Sequence, residues 1–108
     1  MDKEKRKELE AKGFQVGSAA EFLGLTPEEE AFIEIRLELS SLIKSRRNKL
    51  GWTQQQLATA IGSSQSRIAK MEAGDSGITL DLMMKTLLKL GVSKQEIGKL
   101  LEGNLEMV

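Results

Sequence analysis

Thr26-Pro27-Glu28-Glu29 opens a run that meets no further proline, and no glycine until Gly51. A threonine able to cap a helix is followed by proline at the one helical position where its missing N–H costs nothing. Acids that favour the positive helix end come next. Phe32, Ile35, Leu39, Leu42 and Ile43 then recur at helical spacing, which predicts a single helix of ~24 residues, about 36 Å long. Ile33 and Leu37 widen the apolar arc beyond one stripe, so the helix needs cover on more than one side. That cover is expected from the N-terminal segment around Phe14, Val16 and Phe22, from a second subunit, or from both.

The rest of the chain repeats the same signals. Thr53 can cap a helix over 54–61 with Leu57 and Ile61 on one face. Ser64 can cap another over 65–73 with Ile68 and Met71 inward and Gly74 as its stop. Thr79 precedes the stripe Leu80, Met83, Met84, Leu87, Leu90, which Gly91 ends. Ser93-Lys-Gln-Glu96 has the spacing of a capping box before Ile97, Leu100 and Leu101. Nearer the start, residues 2–12 are highly charged, strand-like alternation is confined to Phe14-Gln15-Val16, and Ser18-Ala-Ala-Glu21 predicts a short helix at about 19–23. The expected class is all-α.

Composition narrows the function by exclusion. The chain has no cysteine, histidine or tyrosine, so thiolate metal sites, disulfides and most general acid–base chemistry are out of reach. No glycine-rich phosphate loop appears, and an enzyme is not expected. No apolar run approaches a membrane span, and no signal-peptide core follows the charged start, so a cytoplasmic protein without a cofactor is expected. Formal charge is zero overall, but it is unevenly spread: residues 1–41 carry six Lys/Arg against ten Asp/Glu, whereas residues 42–90 carry eight against three. Positive charge is concentrated around the two short central helices.

On a helical wheel, Ile68 and Met71 share one side of the 65–73 segment, with Ser66 and Lys70 roughly opposite and Gln65 and Arg67 on the flanks. A slim helix with amide, hydroxyl and cationic groups near its N-terminal end suits the DNA major groove, where Gln can pair with adenine and Arg with guanine. The same pattern also fits an ordinary helical hairpin with a soluble outer face. Periodicity leaves both open.

The stretch "TQQQLATAIGSSQSRIAKMEAG", residues 53–74, resembles the helix-turn-helix of the lambda-repressor-like, Cro/C1-type (XRE) DNA-binding family. Thr53, Gln54, Leu57, Ala58, Gly62, Ser64, Ser66, Ile68, Glu72 and Gly74 fit its pattern in register. The resemblance covers roughly residues 40–102 and implies a five-helix DNA-binding domain whose first helix is the C-terminal half of the long one. It implies that Ser64, Gln65, Ser66, Arg67 and Lys70 face base edges, that Gln54 and Thr53 meet phosphates, and that Ala58 lets the two helices pack closely. Glu72 becomes a structural residue, and Trp52 a core one. Arg46 and Arg47, at the end of the long helix, are either further phosphate contacts or a solvated helix end favoured by the dipole.

The acidic N-terminal extension resembles the leader of HigA-like antitoxins of the same family. It implies an autoregulating DNA-binding repressor that also holds a cognate toxin. The other reading of the extension is a dimerisation element, with Phe14, Val16, Phe22, Ile33 and Leu37 at the interface. The organisation expected is therefore an N-terminal dimerisation or partner-binding extension at 1–39, a helix-turn-helix domain at 40–102 and a tail at 103–108. Expected partners are a palindromic double-stranded operator, a second copy of the chain and a toxin. An alternative is a protein-interaction module acting chiefly by neutralising that toxin.

Overall fold

The computed structural model describes residues 23–103, and among them every regular element is helical. The elements are α1 (Pro27–Lys49), α2 (Gln54–Ile61), α3 (Gln65–Glu72), α4 (Leu80–Lys89) and α5 (Lys94–Glu102). The expected strand at 14–16 and the expected contacts of Phe14, Val16 and Phe22 lie outside the described residues, as does the short helix at 19–23 apart from Leu23. Among the described residues no helix is long and apolar enough to cross a membrane.

Each helix starts where its capping residue stands. Thr26 Oγ1 accepts from the Glu29 N–H at 3.1 Å while Glu29 reaches back to the Thr26 N–H at 2.9 Å, so α1 opens with a complete capping box. Thr53 with Gln56 and Ser93 with Glu96 form the same reciprocal pair at α2 and α5, and Ser64 and Thr79 cap α3 and α4 through their hydroxyls. α2 ends at Gly62, whose left-handed φ of 69° turns the chain within three residues into α3.

The described residues fall into two compact units divided between Glu34 and Ile35, inside α1. The second holds the hydrophobic core: Leu39, Leu42 and Ile43 from α1, Leu57 and Ala58 from α2, Ile68 and Met71 from α3, then Ile78, Met83, Leu87, Leu90, Val92, Ile97 and Leu100. Trp52 and Ile61 pack against it while partly buried. Fully burying one such leucine, isoleucine or methionine is worth about 1.5–3 kcal/mol, so these side chains together drive the fold. Phe32, Ile33 and Leu37 keep 46, 41 and 49 % of their surface exposed. In the first unit, Leu25, Phe32 and Ile33 line a shallow apolar groove bordered by Glu28 and Glu29.

Candidate nucleic-acid interface

The inner and outer sides of α3 differ completely. Ile68 and Met71 are fully buried, whereas Gln65, Ser66, Arg67 and Lys70 are exposed. A helix of eight residues has room for just one buried apolar stripe, and Gln65, Ser66, Arg67 and Lys70 stand outside it. Ser64 Oγ accepts from the Arg67 N–H at 3.2 Å and lies 3.5 Å from Ser66 Oγ, so the N-terminal end of α3 is edged by two hydroxyls.

Beneath this end lies a polar network that begins in the core. Arg47, on the last turn of α1, grips Glu72 at the end of α3 with two bonds, Nε to Oε2 at 2.6 Å and Nη2 to Oε1 at 3.0 Å. Its Nη1 donates to the Trp52 carbonyl at 2.7 Å. The side chains of Arg47 and Glu72 are only 10 % and 4 % exposed, so the pair is effectively internal and each charge depends on the other. Glu72 Oε1 also accepts from Gln54 Nε2 at 3.1 Å, and Gln54 Oε1 accepts from Gln65 Nε2 at 2.6 Å. The chain Arg47–Glu72–Gln54–Gln65 thus runs from the core to the first residue of α3, tying the pose of Gln65 to buried groups.

This geometry corrects the reading of Arg47 as a phosphate contact. A guanidinium that is buried, doubly bonded to Glu72 and bonded to a carbonyl is a structural group, and the helix dipole that suggested a solvated end does not describe it. Arg46 is also engaged: its Nη2 lies 2.5 Å from Glu96 Oε2 on α5, so any phosphate would compete with that carboxylate. Glu96 is held below the ordinary carboxylate range, first by the Ser93 backbone N–H and then by Arg46. Leu37 keeps 49 % of its surface exposed and lays its Cδ2 over Gly74, 2.7 Å from where a Cβ there would stand. Gly74, with φ of 77°, holds a backbone conformation that L side chains rarely adopt, and a Cβ there would have to displace the end of Leu37.

Ser64, Ser66, Arg67 and Lys70 line one polar concavity together with Asp75, Gly77 and Ile78 from the turn that follows α3. In that turn the Gly77 N–H donates to Asp75 Oδ1 at 2.7 Å, an Asx-type arrangement. A neighbouring concavity is formed by Ile61, Gly62, Ser63, Ser64, Arg67 and Leu82. Arg67 therefore borders both.

Residues 43–97, half of the chain, match the family model described as helix-turn-helix, of the Cro/C1 type. The chain belongs to the Cro/C1-type (XRE) helix-turn-helix family. Within that match α2 and α3 are the two helices of the motif, and Gly62-Ser63-Ser64 is its turn. XRE-family domains of this kind are DNA-binding and regulatory. No curated protein and no solved structure matches the chain.

Proposed function

We propose that the chain is a sequence-specific transcriptional repressor that reads a palindromic operator as a homodimer, with α3 in the major groove. Ser64, Gln65, Ser66, Arg67 and Lys70 face the bases, and Gln54, Thr53 and the N-terminal N–H groups of α2 face the backbone. Half-sites then lie about one DNA turn, ~34 Å, apart. The observation that carries this reading is the hydrogen-bonded chain from buried Glu72 through Gln54 to Gln65. A soluble helical hairpin has no need to fix an exposed amide from its core, whereas base recognition gains from a side chain already held in place. In this reading residues 40–102 form the DNA-binding domain, residues 1–39 the dimerisation or partner arm and 103–108 a tail.

The test is an electrophoretic shift of the duplex upstream of the protein's own gene, across salt concentrations. Steep loss of binding with salt and competition by one sequence alone are expected. Gln65→Ala or Arg67→Ala should cost about 1–3 kcal/mol of discrimination at one base pair, and Gln54→Ala should weaken binding on every sequence and also loosen the discrimination supplied by Gln65. Variants that bind like the parent would dismiss the assignment of α3.

A second reading adds a toxin partner, as in HigA-like antitoxins. It is favoured by the apolar groove of Leu25, Phe32 and Ile33 with Glu28 and Glu29 at its border, a surface matched to a basic protein. A gene for a small basic protein beside this one, whose product co-purifies with the chain, is the expected finding. No such neighbour would leave the stand-alone repressor.

A further inference from the structure

α1 starts well before the stretch that matches the family, and residues 36 and 37 in that earlier part are tied to the segment leaving α3. Arg36 is 8 % exposed. Its Nη1 donates to the carbonyl oxygens of Asp75, at 3.3 Å, and of Ile78, and lies 3.9 Å from the Met83 sulfur. Residues 75–78 close on themselves, because the Ile78 N–H donates to the Asp75 carbonyl at 3.1 Å and the Gly77 N–H to Asp75 Oδ1 at 2.7 Å. One guanidinium therefore grips both ends of a closed turn. Next to it, Leu37 fills the space left open by Gly74.

That turn has a consequence for the outer face of α3. Asp75, Gly77 and Ile78 form one wall of the concavity whose other wall is Ser64, Ser66, Arg67 and Lys70. A charged group buried to this degree is costly unless bonded, and here the bonds it makes fix backbone that nothing apolar could hold in the same way. We propose that Arg36 is a positioning residue for DNA recognition, setting the 75–78 wall against α3 from a part of α1 that precedes the family's domain. This rests on the reading of α3 as the DNA-facing helix. It makes the DNA-reading surface depend on a residue outside the stretch that matches the family, residues 43–97.

Arg36→Met tests the proposal, since it keeps an unbranched apolar stem and removes the donors. Two readouts are taken where parent and variant are both fully folded. One is hydrogen exchange at the Gly77 and Ile78 amides. The other is the ratio of affinities for a duplex enriched by the parent from a randomised pool and for a scrambled duplex. Exchange at 77 and 78 should rise about tenfold while Leu57 and Ile68 keep their protection, and the affinity ratio should fall about tenfold. Faster exchange with an unchanged ratio overturns the recognition role, and unchanged exchange overturns the grip on the turn. Should Arg36→Met fail to fold, Arg36→Lys carries the same two measurements, because a strongly hydrated ammonium does not replace a guanidinium at a buried site. A parent that enriches no sequence sinks the DNA reading itself, which is distinguishable from a parent that enriches and a variant that matches it.

Discussion

Arg46 and Arg47 are consecutive residues of one helix, and they meet opposite fates. Turned about 100° apart, one reaches Glu96 at the domain surface and the other reaches Glu72 inside it. The Arg46–Glu96 side chains keep 19 % and 32 % of their surface, the Arg47–Glu72 side chains 10 % and 4 %. The outer pair can fall back on water when it breaks. The inner pair cannot, because desolvation has already been incurred and only the partner offsets it. The outer pair joins α1 to α5 and ends there, while the inner pair passes its hydrogen bonding on to Gln54 and Gln65. Ion pairs of similar length can thus differ in both energy and role.

Breaking each pair from one side measures that difference. Glu72→Ala should have the largest effect, a loss of about 3–5 kcal/mol in urea unfolding, because it strands the Arg47 guanidinium in the core. A loss under about 1 kcal/mol would mean that Arg47 escapes to water and that the contrast is false. Glu96→Ala should cost about 1 kcal/mol, most of it from the α5 capping box rather than from Arg46. Double-mutant cycles sharpen the point: coupling between Arg46 and Glu96 should fade between ~0.1 and ~1 M salt while that between Arg47 and Glu72 persists.

The outer pair also carries a pH signature. Because the folded pKa of Glu96 is depressed, its contribution is fully present above the ordinary glutamate value of about 4.3 and is lost as pH falls through the folded value. The stability gap between the parent and Glu96→Gln should therefore close on acidification, and a gap that widened would refute the assignment. The smallest effect belongs to Ser40, a third polar side chain of α1. Its Oγ is buried and has no hydrogen-bond partner among the described residues, so Ser40→Ala should change stability by about 0.5 kcal/mol or less, in either direction.

The contrast between the arginines also marks where sequence reasoning stopped. Capping residues and apolar spacing made the starts of α1, α2, α3, α4 and α5 legible, since these are local effects that one or two turns of chain decide. Glu72 was read as structural only through the family's pattern, and its partner stayed hidden because the bridge spans twenty-five residues. Arg47 sits in the same basic run as Arg46, and nothing local separates the two. Arg36, a lone cation in an acidic stretch, gave no sign that its carbonyl partners lie some forty residues further on. Long-range polar pairing has no period, so it is visible only once the helices have been placed.

The clean division of α3 also bears on how such a protein could be redirected. Ser66, Arg67 and Lys70 carry their side chains outside the core, so on the proposed reading of α3 exchanging them would rewrite the address without touching the machinery that displays it. Gln65 is different, since its amide is bonded to Gln54 and through it to Glu72. A library varied at 66, 67 and 70 should yield folded proteins with new targets. One that varies 65 should be varied together with 54, as a single unit of two letters.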